Sequence, residues 1–275
     1  MKTRQNTNTT PSYDEDGSLE VLEVKPPAQQ NLIDFHPNLP DINTGACVLD
    51  CAPTKSGKTT RISNLLLNPN FYAGKFDMVY FYSSTLYAGD ITGRFLLDQF
   101  EETIYNEYSD KHLKSILDHQ LSVPTSERPR IAIIFDDFLS FPNLTPKSLL
   151  FRISASYRHH GVKLLYYSSQ LFRAVPPIVR QNIQYCILGK NANAREVMKM
   201  YEEIGMRYGN YKQFVNLLQS GTEGKYNCLY LDLMGSPPRA FKNFNKLIYT
   251  APENVMETLS GGGCAKSPYV DDEGS

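Results

Sequence analysis

Residues 52–59, with the sequence APTKSGKT, constrain the fold more than any other part of the chain. They have the spacing of a phosphate-binding loop. An apolar run at 46–49 precedes them, and the segment that follows places Ile62, Leu65 and Leu66 on one helical face. A strand, a tight loop and a helix in this order form a concave nest of backbone amides that can hold phosphate oxygens. The motif therefore predicts a nucleotide-binding protein.

The loop itself supplies the predicted nucleotide contacts. We expect them from Ala52, Pro53, Thr54, Lys55, Ser56, Gly57, Lys58, Thr59 and Thr60. Lys58 would reach the β- and γ-phosphates, and the Thr59 hydroxyl would ligate Mg²⁺. The usual motif begins with Gly, whereas Ala52 stands here and lacks the freedom of Gly to adopt positive φ angles. The alternative interpretation is an ordinary strand-to-helix turn with an accidental Gly-Lys-Thr.

A second motif supplies acidic side chains. The apolar run 131–135 ends in Asp136 and Asp137, as a Walker B element requires. We assign Asp136 to the metal, through water, and Asp137 to orienting or deprotonating the attacking water. The alternative is a strand that ends in a solvated Asp-Asp turn.

Two further side chains are candidates for catalysis. Gln170 follows the strand predicted for 162–167 and could hold the water or sense the γ-phosphate, although a plain strand-ending turn fits its spacing equally. Arg158 lies near the end of a helix predicted for 146–160. It could stabilise transition-state charge in a neighbouring subunit, or it could be a solvated cation favoured by the helix dipole.

Strands and helices alternate along most of the chain. Predicted strands are 46–50, 77–82, 131–135, 162–167 and 185–188. Predicted helical segments are 61–67, 95–100, 113–121, 146–160, 176–183 and 193–206, the last with a capping box formed by Asn193 and Glu196. Segments 226–233 and 240–244 suit a terminal hairpin. Continuous apolar strands between helices predict an α/β fold with a mostly parallel sheet covered on both faces.

The ends of the chain differ from its centre. We predict a disordered arm at 1–18, an ATPase domain at 19–255 that begins with a short edge strand at 19–24, and a flexible tail at 256–275. The start is polar, and no apolar run approaches the ~20 residues that a membrane span needs. These features predict a soluble, intracellular protein.

Net charge and cysteine content restrict the kinds of binding partner and compartment that the sequence predicts. The formal net charge is −1, so nothing global indicates nucleic-acid binding, although a ring that holds DNA in its channel needs only a few basic residues per subunit. The five cysteines form no CxxC pair. Four of them lie in or beside apolar runs, which predicts buried free thiols, a reducing compartment and no structural zinc.

Five motifs in order resemble the FtsK–HerA superfamily of ring-forming DNA-pumping ATPases. They are residues 52–59, 82–86 (YSSTL), 135–138 (FDDF), 156–160 (SYRHH) and 167–182 (YSSQLFRAVPPIVRQN). The resemblance covers about residues 45–190 and is greatest to the poxvirus-type branch, the genome-packaging ATPases of large DNA viruses and virophages.

The last motif is the most specific. The family has a sensor Gln or Asn, then a Pro and an Arg-x-Asn, and Gln170, Pro177 and 180–182 match them. By the same resemblance Arg158 matches the trans-acting arginine, with Arg173 and Arg180 as competitors. Ala52 departs from the family's usual Gly.

The resemblance implies a RecA/FtsK-like three-layer P-loop NTPase fold, ATP and Mg²⁺ as cofactors, and a ring of five or six subunits. It also implies double-stranded DNA and capsid or portal components as partners, in the host cytoplasm or viral factory and in the virion. Our leading hypothesis is an ATPase that packages DNA into a capsid. The alternatives are another FtsK–HerA-type DNA pump, a P-loop kinase for a small acceptor, and a nucleotide-gated binding protein with little turnover.

Overall fold

A nine-stranded sheet runs through the computed structural model, which describes residues 32–86 and 91–250. The strands are β1 (Ala46–Cys51), β2 (Met78–Tyr82), β3 (Ile104–Tyr105), β4 (Ile131–Phe135), β5 (Val162–Ser169), β6 (Tyr185–Leu188), β7 (Leu229–Asp232), β8 (Arg239–Lys242) and β9 (Lys246–Thr250). Their order is β3-β2-β4-β5-β1-β6-β7-β8-β9. The first six in this order are parallel, and β7, β8 and β9 are antiparallel. The predicted mostly parallel α/β sheet is confirmed.

Helices cover both faces of the sheet. They are α1 (Lys58–Leu67), α2 (Ile91–Phe100), α3 (Asp110–Ser122), α4 (Leu149–Arg152), α5 (Pro177–Arg180), α6 (Ala194–Glu203) and α7 (Tyr211–Thr222). Buried residues of α1 and α2 pack on one face, and those of α3 to α7 pack on the other. Successive residues of β4 alternate between these two clusters, as the pleat of a strand buried on both sides requires. The fold therefore has the three predicted layers.

The end of the sheet is larger than predicted. Instead of a single hairpin, β7, β8 and β9 form a three-stranded antiparallel meander, and β7 joins it to β6. The two-residue β3 was also not predicted, because so short a strand shows no alternation. The predicted arm at 1–18, the strand at 19–24 and the tail at 256–275 lie outside the described residues.

The helix predicted for 146–160 is wrong in extent. Only α4 and a 3₁₀ turn at Ile153–Ala155 form, and turns follow as far as Gly161. The Tyr157 hydroxyl donates to the Gly45 carbonyl oxygen at 3.0 Å, so this contact ties the turn to the start of β1. Gly161 has a left-handed φ of 73° and closes a turn, not a helix. Arg158 therefore does not lie at a helix end, and the helix-dipole interpretation of it is wrong.

The chain around α6 and α7 also differs from prediction. Helix α6 ends at Glu203, not at 206, and its capping box is half formed. The Asn193 side chain accepts from the Arg195 amide at 3.0 Å, but the Glu196 carboxylate accepts from the Arg173 amide at 3.2 Å instead of returning to Asn193. Helix α7, which was not predicted, begins with a complete capping box between Asn210 and Gln213.

The four cysteines predicted to be buried, Cys47, Cys51, Cys186 and Cys228, are buried and free. Among the described helices, none has both the length and the apolar content to cross a bilayer.

Candidate nucleotide-binding site

The carboxyl ends of three neighbouring strands meet at one edge of the sheet. In the parallel pair β1–β5, Asp50 lies opposite Ser168, and in the pair β4–β5, Phe135 lies opposite Tyr167. The segments that follow these strands are the phosphate loop, the Asp136–Asp137 pair and Gln170. In an open α/β sheet this edge is where ligands bind.

A cavity of about 440 Å³ lies at this edge. It is lined by Thr54, Lys55, Gly57, Lys58, Thr59, Thr60, Thr85, Asp136, Asp137, Gln170 and Tyr226. The sequence singled out all of these as site residues except Thr85 and Tyr226. The structure thus brings together residues that are more than 100 positions apart in the chain. Of the predicted site residues, Ala52, Pro53, Ser56 and Arg158 are not among those that line the cavity.

The phosphate loop is closed by its own hydrogen bonds. The Lys58 ammonium donates to the carbonyl oxygens of Ala52 at 2.7 Å and Pro53 at 3.2 Å. The Ser56 hydroxyl also donates to the Pro53 oxygen, at 2.6 Å. Gly57 has a φ of 87° at the start of α1, a conformation that a glycine adopts at little cost. A loop closed in this way leads directly into the first turn of α1, which is the arrangement that the predicted phosphate nest requires.

Ala52 replaces the usual glycine without strain. It is absent from the residues with positive φ, and its amide donates to the Ser169 carbonyl oxygen at 3.0 Å, continuing the β1–β5 pairing. Its methyl group faces Gly189, where an added Cβ would lie 2.4 Å from the Ala52 Cβ. Gly189, at the end of the neighbouring strand β6, therefore leaves space for the Ala52 methyl group.

A buried ion pair between α1 and β1 also contacts the phosphate loop. The Arg61 guanidinium donates to both carboxylate oxygens of Asp50, at 2.9 and 2.7 Å, and also to the Ser56 carbonyl oxygen at 2.9 Å. The Tyr166 hydroxyl donates to the same carboxylate at 2.8 Å. Asp50 is fully buried and Arg61 is 6% exposed. The sequence analysis missed this pair, although a lone Asp inside an apolar strand is a signal for a buried partner.

Asp136 is held by a hydroxyl rather than by a cation. It is 3% exposed, and its Oδ2 accepts a hydrogen bond from the Ser83 hydroxyl at 3.1 Å. Burial raises the pKa of Asp136 and the charge of Asp137 adds to the rise, while the hydroxyls of Ser168 and Ser83 and the Lys58 charge oppose it. A carboxylate in such a setting is stabilised by a nearby metal cation.

Asp137, Gln170 and Thr54 form a chain across the cavity. The Gln170 amide nitrogen donates to the Asp137 carboxylate at 2.9 Å, and its oxygen accepts from the Thr54 hydroxyl at 2.8 Å. Asp137 has a left-handed φ of 45°, which is uncommon for a residue other than glycine. Gln170 therefore connects the phosphate loop to the second acid, which a plain strand-ending turn would not require.

The donor set at the cavity fits a hard divalent cation. The Thr59 hydroxyl and the Asp136 carboxylate offer only oxygen atoms, and both residues line the same cavity. Mg²⁺ prefers oxygen ligands and keeps several of its waters in sites of this kind. These two residues would hold the metal, which would supply charge neutralisation at the phosphates.

The three candidate arginines differ in position and pairing. Arg158 is exposed, lies at the opposite edge of the sheet and donates to the Tyr157 hydroxyl at 3.0 Å. Strand β5, which lies between Arg158 and Gln170, is eight residues long, or roughly 26 Å. Arg158 therefore does not reach the site of its own chain. Arg173 is exposed near the carboxyl edge. The Arg180 side chain is 9% exposed and pairs with Glu203, which leaves it less accessible than the other two.

No protein-family model and no curated protein matches the chain. Among solved structures, it is similar to the genome-packaging NTPase B204 of Sulfolobus turreted icosahedral virus 2 in complex with AMP, with 18% identity over 69% of this chain and 93% of that chain and a TM-score of 0.49. It is also similar to the pCW3 conjugation coupling protein TcpA with ATPγS, with 13% identity, 78% and 62% coverage and a TM-score of 0.49.

EssC (ATPases 2 and 3) of Geobacillus thermodenitrificans is a further similar structure, with 13% identity, 79% and 43% coverage and a TM-score of 0.46.

Proposed function

We propose that the chain is a Mg²⁺-dependent ATPase of the FtsK–HerA type that packages double-stranded DNA into a capsid as one subunit of a ring. The observation that carries the proposal is the single cavity lined by Lys58, Thr59, Asp136, Asp137 and Gln170. Loop, metal-binding oxygens and a water-positioning pair are the parts that phosphoryl transfer from a triphosphate to water requires.

Each side chain has a distinct part in the proposed reaction. The loop amides and Lys58 bind and orient the triphosphate, and Thr59 and Asp136 hold the cation against it. Asp137 accepts the proton of the attacking water, and the Gln170 amide orients both this acid and the water. The hydrogen bond from Gln170 to Asp137 supports this division of roles, because it fixes one carboxylate oxygen and leaves the other to accept.

Two observations support the proposed ring of subunits and the proposed DNA substrate. They are the order of the five motifs and the position of Arg158. Since Arg158 lies at the opposite sheet edge from its own site, any action on a bound nucleotide requires a second subunit. An exposed guanidinium at a subunit boundary is suited to stabilise charge in the neighbour's transition state. In a ring, this contact would make hydrolysis in one subunit depend on the position of the next.

The function is tested by steady-state ATP hydrolysis with and without double-stranded DNA, at protein concentrations that span assembly. We expect Mg²⁺-dependent turnover that rises with assembly and with DNA, and loss of turnover in Lys58→Ala. A kinase would instead turn over only with a small acceptor and ignore DNA. ATP binding with no turnover in the assembled protein would favour a nucleotide-gated binding protein.

The trans-acting arginine is tested by Arg158→Ala, with Arg152→Ala as the matched control because both residues are exposed and they lie six positions apart in the chain. We expect Arg158→Ala to bind ATP normally and to lose roughly 10³-fold or more in assembled turnover, while Arg152→Ala keeps it. The measurement is kcat at saturating ATP beside the Kd for ATP. Loss of turnover in Arg173→Ala but not in Arg158→Ala would reassign the role.

A further inference from the structure

A tyrosine at the rim of the cavity has an unusual backbone. Tyr226 lies in the loop between α7 and β7 and has a left-handed φ of 67°, which is a true outlier for a bulky residue. Such conformations persist only where the surroundings determine them, and they concentrate at functional sites.

Hydrogen bonds on both sides hold this loop. The Asn227 amide nitrogen donates to the Glu223 carbonyl oxygen, and its oxygen accepts from the Asn243 side chain at 2.7 Å. The Cys228 amide donates to the Asn243 side-chain oxygen at 3.0 Å. The loop backbone is therefore fixed independently of the Tyr226 ring.

The ring lies against the phosphate loop and stays accessible. A Cβ added to Gly57 would lie 3.2 Å from the Tyr226 Cδ1, so ring and loop are in contact. Tyr226 is nevertheless 53% exposed, although a ring of this size is usually at least partly buried. The Lys225 ammonium lies 4.8 Å from the ring centroid. An exposed aromatic ring with a cation beside it thus borders the cavity that also contains Thr60.

We propose that Tyr226 stacks on the base of the nucleoside triphosphate, an inference that rests on the proposed function because it needs the phosphates to lie in the loop. With the phosphates held at Lys58, Thr59 and Thr60, the base must leave the loop along the rim, where the Tyr226 ring is the large accessible apolar surface among the cavity-lining residues. Aromatic side chains stack on bases through the π face. Because every base has such a face, the ring adds affinity without choosing between ATP and GTP.

The test compares Tyr226→Asn and Tyr226→Phe. Asn tolerates the left-handed conformation and removes the ring, whereas Phe keeps the ring. Leu247→Ala is the control for loss of an exposed apolar side chain, since Leu247 is 52% exposed and lies on β9, away from the cavity. The Kd values for ATP, GTP and inorganic tripolyphosphate are measured with Mg²⁺ for each variant and for the original protein.

For Tyr226→Asn we expect a loss of roughly 10- to 100-fold in affinity for ATP and the same factor for GTP, with tripolyphosphate unchanged. Tyr226→Phe and Leu247→Ala should resemble the original protein. Equal losses for ATP and tripolyphosphate would show that the ring supports the loop and not the base. Unchanged ATP affinity in Tyr226→Asn would overturn the proposal that the ring stacks on the base. If the original protein bound neither ligand, the proposed function would fail together with this inference.

Discussion

Two buried aspartates, each at the carboxyl end of a parallel strand, have opposite electrostatic settings. Asp50 on β1 receives a bidentate guanidinium from Arg61 and a hydroxyl from Tyr166. Asp136 after β4 receives the Ser83 hydroxyl and pairs with no cation among the described residues, and burial raises its pKa. The first charge is neutralised inside the protein, while the second is the one that we propose to be neutralised by Mg²⁺.

This difference separates the two halves of the site. The half formed by β1, the phosphate loop and α1 is a closed network, in which Arg61 also holds the Ser56 carbonyl oxygen. The half formed by the ends of β4 and β5 is joined to the loop by the Gln170 side chain, through Asp137 and Thr54. We therefore expect damage to the first half to appear mainly as lost stability, and damage to the second mainly as lost activity.

The largest effect is expected from Arg61→Met, which leaves the buried Asp50 carboxylate without its cation. Removing one partner of a buried ion pair costs ~3–5 kcal/mol in the free energy of unfolding. For a domain of this size that corresponds to a fall of roughly 6–20 °C in Tm. Thermal and urea unfolding without nucleotide measure it.

The double variant Asp50→Asn/Arg61→Met is the control, because it removes both charges at once. It should recover a large part of the lost stability, since an uncharged pair leaves no buried ion. A double variant as unstable as Arg61→Met would mean that the guanidinium acts through the Ser56 carbonyl alone.

Asp136→Asn should have the opposite signature. We expect kcat to fall roughly 100-fold or more, because the cation loses its carboxylate and with it several kcal/mol of transition-state stabilisation. The unfolding free energy at neutral pH should be equal or higher, because a raised pKa means that the ionised form disfavours the folded state. Asn can still accept the Ser83 hydrogen bond.

The sign of this stability difference can be checked by measuring the free energy of unfolding at several pH values. As pH falls through the raised pKa, Asp136 in the original protein takes up a proton and its charge cost disappears. The stability difference between the original protein and Asp136→Asn should therefore shrink towards acid pH. A difference that grows on acidification would contradict the electrostatic account of Asp136.

The residues of this site that could be predicted are those that belong to short, continuous sequence motifs. Lys58, Thr59 and Asp136 follow strands whose apolar runs are plain in the sequence, and their catalytic roles stay predictions. The partner of Asp50 could not be chosen, because pairing with Arg61 depends on how α1 packs on β1. The position of Tyr226 depends on a left-handed backbone that no local pattern indicates.

The helices show the same limit. Leu150, Ile153 and Tyr157, spaced as on a helix, are buried, yet α4 ends at Arg152 and the Tyr157 hydroxyl bonds Gly45 from a turn. A tertiary contact thus outweighs local periodicity here. Helix α7 was missed although its signals are present. Asn210 is followed three residues later by Gln213, and apolar residues follow at helical spacing.

The smallest effect is expected at Ala52, where the phosphate loop departs from the usual glycine of its motif. Gly189→Ala would bring a methyl group to 2.4 Å from the Ala52 Cβ, closer than two carbon atoms can pack, so the loop or β6 must shift. Overpacking of this kind costs ~1–3 kcal/mol, or roughly 2–12 °C in Tm for a domain of this size. Because the strained residue is the first of the phosphate loop, we expect the Kd for ATP to rise as well.

Ala52→Gly/Gly189→Ala exchanges the two methyl groups and so removes the clash. It should recover most of the stability and the affinity, apart from the ~0.5–1 kcal/mol that a more flexible glycine costs at position 52. A double-mutant cycle over both positions measures this coupling, since residues in contact are not additive. If the two changes were additive, Gly189 would not be what accommodates Ala52, and the loop would tolerate alanine for a reason within its own backbone.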